Sequence, residues 1–381
     1  MSEKNQAQMK AIAHNQGPMM VLAGPGSGKT TVITERTKYL IEHYGVSPAR
    51  ILVITFTKAA ANEMKERFCQ LMGRSLPVSF GTFHAVFFTI LRHAYGYRYE
   101  HIISEEQKRQ MIQEVLAEEQ VDMEEEADFI SAMINEISLV KGEMIPLENY
   151  YSGQCSNEVF QDIFRGYERK LRANRKIDFD DMLVFTYELL KEREDILAVW
   201  QKKFQYILID EFQDINLVQY KIIQMLAKPE NNLFIVGDDD QSIYRFRGAK
   251  PDIMLGFPKD YKEAKKVLLD INYRCSEEIL TEAQKVIGQN EKRFSKKLTA
   301  FCGKQSPVHY IECKNQFEEN QKIIEVLQKY QREGKPLEQC SVLFRTNIQP
   351  RLLIGKLMEY NLPFVMKDGF PNLFEHWIAR D

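Results

Sequence analysis

The stretch Ala23-Gly24-Pro25-Gly26-Ser27-Gly28-Lys29-Thr30 sets glycines, a lysine and a hydroxyl at the spacing that phosphate chemistry needs. Backbone N–H groups of Gly24, Gly26, Ser27 and Gly28 can close around phosphate oxygens, and a helix starting at the loop adds its positive dipole end. Lys29 brings charge to β- and γ-phosphates, and Thr30 offers the hydroxyl that a bound Mg²⁺ takes as ligand. A second candidate is Tyr206-Ile207-Leu208-Ile209-Asp210-Glu211, an apolar run ending in two carboxylates. One carboxylate can hold Mg²⁺ and the next can polarise an attacking water. An acidic pair after an apolar run is common by itself. Combined with the glycine loop, it points to hydrolysis of a nucleoside triphosphate with Mg²⁺.

Both candidates need a scaffold that ends strands where the chemistry sits. Short apolar runs occur at Met19–Ala23, Ile51–Phe56, Tyr206–Ile209, Asn232–Val236 and Lys266–Leu269. Most lead into helical patterns, such as Thr30–His43 with Ile33, Thr37, Leu40 and Ile41 on one face. Strands alternating with helices predict an α/β fold with a parallel sheet covered on both sides. From Tyr95 to Lys176 only helical patterns appear, among them Glu105–Glu119 and Glu126–Val140, which predicts an all-helical insertion. Beyond Arg274 the pattern predicts helices at Ser276–Gln289, Glu318–Glu333 and Pro350–Tyr360, with strand-like runs at Ser341–Phe344 and Phe364–Met366. These runs are too few for a closed second core.

With 381 residues, two or three domains are expected at ~150 residues each. Neither disorder nor a fibre fits 44% hydrophobic residues, and no apolar run approaches the ~20 residues of a membrane helix. Six scattered cysteines without a C-x-x-C pair suggest no zinc site or disulfide framework, which fits a cytoplasmic setting. A net charge of −3 argues against coating nucleic acid by bulk charge, yet leaves room for a local basic groove with aromatic platforms. The acidic stretch Glu114–Asp128 and the basic stretch Arg165–Lys176 read as solvated helix faces.

Longer strings narrow the class. They are Thr55-Phe56-Thr57, Gly81-Thr82-Phe83-His84, Asp210-Glu211-Phe212-Gln213-Asp214, Val236-Gly237-Asp238-Asp239-Asp240-Gln241-Ser242-Ile243-Tyr244-Arg245-Phe246-Arg247-Gly248-Ala249 and Asn272-Tyr273-Arg274. In order and spacing the chain from Gln8 onward resembles the UvrD/Rep (PcrA-like) family of superfamily 1 DNA helicases. The resemblance implies RecA-like P-loop NTPase architecture. The first motor domain would take residues 1–94 and 177–273, the helical insertion 95–176, and an incomplete second RecA-like domain 274–381.

The resemblance also implies roles. Gln8 would read the adenine edge and Tyr273 would stack on it. Asp210 would hold Mg²⁺ with Thr30, and Glu211 would be the catalytic base. Gln241 would sense the γ-phosphate and Arg274 would contact it. Phe56, Tyr244 and Phe246 would stack on bases of single-stranded DNA, and His84 and Arg247 would line its path. Arg345 and Asn347 would touch its backbone from the second motor domain. Implied partners are single-stranded DNA and 3′-tailed duplex, with 3′→5′ polarity and no membrane.

Three departures from the family pattern stand out. Thr31 stands where an arginine often follows the Lys-Thr pair, and Phe246 where tryptophan is frequent. The further motor motifs do not appear before Asp381. The expectation is therefore a helicase N-terminal portion that binds nucleotide but shows at most feeble DNA-stimulated ATPase and no unwinding unless a C-terminal half or partner polypeptide completes it. The alternative is a fragment that binds ATP and DNA with little or no activity of its own.

Overall fold

A computed structural model describes residues 4–120, 126–243, 248–346 and 348–366. The chain begins α1 (Gln6–Ile12), β1 (Met19–Ala23), α2 (Lys29–Glu42), β2 (Ile51–Thr55), α3 (Lys58–Met72), β3 (Ser79–Thr82) and α4 (Phe83–Tyr95). Helices α5 (Glu105–Glu118), α6 (Glu126–Glu143) and α7 (Asn157–Ala173) follow. Then come α8 (Phe179–Glu192), α9 (Glu194–Lys203), β4 (Tyr206–Ile209), α10 (Leu217–Ala227), β5 (Leu233–Gly237), α11 (Pro251–Asp260) and β6 (Lys265–Leu269). Short β7 (Ile271–Asn272), α12 (Glu277–Ile287) and β8 (Thr299–Ala300) complete this part.

Six strands form one sheet in the order β3-β2-β4-β5-β1-β6, every pair parallel. Register sets Val21 beside Val236, Leu208 beside Phe234 and Ile54 beside Ile209. Successive side chains of a strand point to opposite faces, and the strand residues divide accordingly. Met20, Leu22, Leu52, Ile54, Ile207, Ile209 and Ile235 face the layer of α4, α8, α10 and α11. Met19, Val21, Ile51, Val53, Leu208, Phe234 and Val236 face α1, α2 and α3. β1, β2, β4 and β5 are buried on both faces, which is why they read as unbroken apolar runs. This is the RecA-like P-loop architecture. β3 was invisible to that reading, because Ser-Phe-Gly-Thr is no apolar run. It lies at the sheet edge, where it pairs only with β2.

Local chemistry fixes the helix starts. Asn5 with Gln8, Ser104 with Gln107, Asp178 with Asp181 and Asn216 with Gln219 form reciprocal capping boxes at α1, α5, α8 and α10. Helices α5, α6 and α7 build their own core from Ile112, Val115, Met133, Ile137, Phe160, Ile163 and Tyr167. At its neck the Ile103 N–H donates to the Ile177 carbonyl at 3.0 Å, and the Ile177 N–H to the His101 carbonyl at 2.8 Å.

The chain divides into two compact units, Met1–Pro307 and Val308–Asp381. Residues 274–307 thus fold with the first unit, where β8 pairs with β7. The second unit contains α13 (Gln316–Arg332) and α14 (Pro350–Glu359) around a small core of Ile324, Leu353, Leu357 and Leu362. The strand-like runs Ser341–Phe344 and Phe364–Met366 are not strands here. Among the described residues of this unit no ladder forms. Extended apolar segments become strands only when a neighbour satisfies their backbone groups. They instead line an apolar cleft of about 1200 Å³ with Leu327, Leu353 and Leu357.

Candidate active site

The glycine loop joins β1 to α2 at the C-terminal end of the sheet. Gly26 and Gly28 adopt φ of 65° and 88°, conformations that side chains rarely tolerate. The loop is also closely packed. A Cβ on Gly26 would come 2.5 Å from Arg274 Cβ, and one on Gly24 would come 2.6 Å from a Leu298 methyl. Ser27 Oγ donates to the Gly24 carbonyl at 2.7 Å and turns the loop on itself. Lys29 and Thr30 begin α2, so their side chains start where the helix N–H groups point outward.

Asp210 and Glu211 follow β4, two strand positions from β1. Lys29 Nζ lies 2.7 Å from Glu211 Oε2. Glu211 holds φ 50° and ψ 45°, a left-handed conformation that costs energy for a side chain with a Cβ. Asp210 is buried, and its Oδ1 has no hydrogen-bond partner among the described residues. Burial and the adjacent Glu211 push its carboxyl up to about 6, against the pull of Lys29. Asp214 behaves alike. Burial and Glu211 raise it to about 6, and its Oδ1 is also buried without a partner.

These orphaned oxygens fit a hard divalent cation. Among the described residues no group of three or more His, Cys, Asp or Glu could hold a metal ion. Mg²⁺ needs none, since it commonly takes one or two carboxylates and completes its shell with phosphate oxygens and water. Asp210, with the Thr30 hydroxyl at the start of α2, supplies oxygen donors of that kind.

Gln8 lies on α1 against the loop. Its Nε2 donates to the Ser27 carbonyl at 3.1 Å, while its Oε1 accepts from the Asn5 N–H at 3.1 Å. One N–H and one lone pair remain for a ligand. The Asn5 amide also donates to the Tyr273 hydroxyl at 3.1 Å, which joins α1 to the Asn272-Tyr273-Arg274 corner. That corner sits on the glycine loop. The Tyr273 N–H donates to the Gly26 carbonyl at 3.0 Å, and Asn272 Nδ2 to the Pro25 carbonyl at 2.7 Å. Arg274 is exposed beside it.

Gln241 ends the loop after β5, where its Nε2 donates to Asp238 Oδ2 at 2.7 Å. The first unit therefore gathers Gln8, Gly24, Gly26, Ser27, Gly28, Lys29, Thr30, Asp210, Glu211, Gln241, Tyr273 and Arg274 onto helix starts and loops at one sheet end. Phe56 follows β2 at that end, half-buried. His84 lies in the first turn of α4, its ring edge-on to Phe179 at 5.5 Å. Burial lowers its pKa below the ordinary histidine value, against the pull of Asp180 and Asp178. Arg345 is exposed in the second unit, its N–H donating to Gln349 Oε1 at 2.7 Å. Tyr244, Phe246, Arg247 and Asn347 lie outside the described residues.

Several side chains that shape the site carried no motif role. Gln213 sits between Glu211 and the Asp238 loop. Lys296 is buried against Asp238, Asp239 and Asp240, and Arg293 pairs with Asp240 through two nitrogens. Gln213 lies inside a motif string and could have been weighed there. A lysine in Lys296-Lys297 looks like surface until the fold buries it.

Sheet order, glycine loop and acidic strand end define a P-loop NTPase of RecA-like architecture. The model of the UvrD/REP helicase N-terminal domain matches residues 4–262, and that of the UvrD-like helicase C-terminal domain matches residues 267–376. The chain belongs to the UvrD/Rep helicase family. It is 39% identical over 385 residues to the putative ATP-dependent DNA helicase YjcD of Bacillus subtilis, covering 99% of this chain and 50% of that protein. It is 37% identical over 379 residues to the ATP-dependent DNA helicase PcrA of Staphylococcus aureus, covering 97% and 51%. PcrA of Staphylococcus epidermidis gives 37% over 374 residues, 96% and 51%. The chain spans about half the length of the curated relatives it matches. Among the described residues no helix is long and apolar enough to cross a membrane.

Proposed function

We propose that this chain carries the ATP-hydrolysing half of a DNA helicase that translocates 3′→5′ on single-stranded DNA. One observation carries the reading. Lys29, at the start of the phosphate loop's helix, and Glu211, at the acidic strand end, meet at 2.7 Å beside a buried, partnerless Asp210 oxygen. Charges for phosphate, water and metal converge on one point of the sheet.

In this reading the loop N–H groups and Lys29 bind the ATP phosphates, and Gln8 and Tyr273 hold the adenine. Asp210 and Thr30 would hold Mg²⁺, which when bound would supply positive charge against the phosphates. Glu211 takes the proton of the attacking water, Gln241 senses the γ-phosphate, and Arg274 stabilises the charge that develops on it. Phe56, Tyr244 and Phe246 stack on bases, because every base offers a π-face and a motor must tolerate any sequence. The family resemblance assigns DNA contacts to His84 and Arg247, and, in the second unit, to Arg345 and Asn347. The setting is cytoplasmic, and the substrate is 3′-tailed duplex.

Steady-state ATPase with and without single-stranded DNA tests this. Stimulation by DNA, lost in Glu211→Gln, supports it. Nucleotide binding without any hydrolysis would favour a second reading, a binding half that needs a polypeptide carrying the remaining motor elements. The second unit's two helices without a sheet among the described residues support that alternative.

A further inference from the structure

We propose that Gln213 is a positioning residue that ties the base Glu211 to the loop carrying Gln241; this rests on the nucleotide-hydrolase reading above. Gln213 is buried, 1% exposed. Its Nε2 donates to Glu211 Oε2 at 2.8 Å, and its Oε1 accepts from the Asp238 N–H at 3.0 Å. Its backbone carbonyl accepts from Ser242 Oγ at 3.3 Å. Asp238 Oδ2 in turn accepts from Gln241 Nε2 at 2.7 Å. A continuous line of hydrogen bonds thus runs from Glu211 to Gln241 through Gln213 and Asp238.

The residue type matters. An amide both donates and accepts, so one neutral side chain serves a carboxylate on one side and a backbone N–H on the other. A carboxylate at this position would face Glu211 and Asp214. The fit is tight, since a Cβ on Gly237 would come 2.6 Å from Gln213 Oε1. The far side of the loop is anchored too. Lys296 Nζ contacts Asp238, lies 2.5 Å from Asp239 and 2.9 Å from Asp240, and the Phe294 N–H donates to Asp239 at 2.8 Å. Two residues on, Leu298 packs over Gly24 of the phosphate loop.

Lys29 and Gln213 contact the same oxygen, Glu211 Oε2. A γ-phosphate that draws Lys29 away leaves the Gln213 N–H as the remaining donor to that oxygen. Gln213 then keeps the carboxylate aimed, and any shift of Glu211 reaches Asp238 and Gln241 through a rigid amide.

The test uses the 381-residue protein with a non-hydrolysable ATP analogue and Mg²⁺. Calorimetry reads affinity, amide hydrogen exchange reads residues 238–242, and single-turnover ATP hydrolysis reads the rate. In the parent, the analogue slows exchange across 238–242. Gln213→Met, similar in size without hydrogen bonds, is expected to bind within about threefold of the parent, lose that added protection, and hydrolyse about tenfold slower or worse. The loss falls on the rate and not on affinity, which mere destabilisation would not produce. Gln213→Asn, with the amide one methylene short, repeats the test should the Met variant fail to fold. Intact binding with an unchanged exchange response overturns the inference. A parent protein that does not bind the analogue overturns the nucleotide reading itself, and this inference with it.

Discussion

Lys29 Nζ and Glu211 Oε2 lie 2.7 Å apart, although 182 positions separate the two residues in the chain. The sheet order brings them together, because β5 alone separates β1 from β4. Each neutralises the other, so a phosphate entering the loop competes with Glu211 for the lysine. In the proposed hydrolysis this would link phosphate binding to activation of Glu211, since withdrawal of the lysine would free the carboxylate to accept a proton from water.

Lys29→Ala is expected to remove tight ATP-Mg²⁺ binding and leave the fold intact. A charged hydrogen bond contributes roughly 1.5–3 kcal/mol, and the lysine also offsets phosphate charge. Its partner Glu211 is a third exposed, so losing the pair itself costs little stability. Titration calorimetry with thermal melting checks both halves. Unchanged affinity would remove the phosphate-loop assignment.

Glu211→Gln is expected to bind ATP as well as the parent and to hydrolyse it roughly 10²–10⁴-fold more slowly. The amide keeps size and hydrogen bonding but cannot take a proton at neutral pH. Equal turnover in single-turnover assays would show that another group is the base.

Much of this site was legible because its residues are contiguous in sequence. The glycine loop, Asp210-Glu211 and Asn272-Tyr273-Arg274 each keep their motif residues within a few positions, and apolar runs announced five of the six main strands. β3 escaped because an edge strand can be short and mixed. Lys296 and Gln213 escaped because their meaning depends on burial and on partners far along the chain. In the second unit the apolar runs Ser341–Phe344 and Phe364–Met366 had the right composition for strands. Composition alone does not supply the neighbouring backbone that a strand requires.

In the proposed site Asp210 is expected to make Mg²⁺ affinity depend on pH, because its carboxyl, raised to about 6 by burial and Glu211, would have to ionise to hold the cation. Mg²⁺-dependent nucleotide binding is expected to strengthen as pH rises from 5 to 7.5. Stability runs the other way. The folded-state value exceeds the ordinary one near 3.8, so this group's stabilising share is full below that value and is lost as pH rises through about 6. Asp210→Asn is therefore expected to be more stable than the parent at pH 8, by about 1–3 kcal/mol, and equal to it near pH 4. Urea denaturation at both pH values decides it. An Asn variant less stable at pH 8 would mean that the carboxylate is better compensated than its partnerless oxygen implies.

Single-stranded DNA binding is expected to weaken as salt rises, because phosphate contacts release counterions. Phe246→Ala should lose about 1–3 kcal/mol of affinity with the salt slope unchanged, as befits a stacking ring. Fluorescence anisotropy at several salt concentrations separates the two effects. A changed slope with unchanged low-salt affinity would move Phe246 away from the bases.

Lys141 holds the helical insertion to the motor. From α6 its Nζ reaches Asp181 Oδ1 at 2.6 Å, Glu168 at 2.7 Å and Asp178 at 3.3 Å, and Lys108 of α5 lies 3.3 Å from the same Asp178 oxygen. Burial works against charge on Asp178, but the two lysines outweigh it and hold that carboxyl below the usual range. Burial and the neighbouring Asp178 push Asp181 up to about 7. Removing one partner of a buried ionic cluster leaves uncompensated charge, typically worth about 3–5 kcal/mol. Lys141→Met is expected to lose that much at pH 8, where both aspartates are ionised. The deficit should shrink at pH 5, where Asp181 is protonated and carries no charge to compensate. Lys170→Met provides the contrast. Its pairs with Glu114 and Glu118 lie at the surface, where such contacts contribute about 0–1 kcal/mol. Denaturant titrations of the two variants at pH 5 and pH 8 measure the difference. A Lys141→Met loss no larger than that of Lys170→Met, or one that fails to shrink at pH 5, would mean that apolar packing and not this charge cluster fastens the insertion.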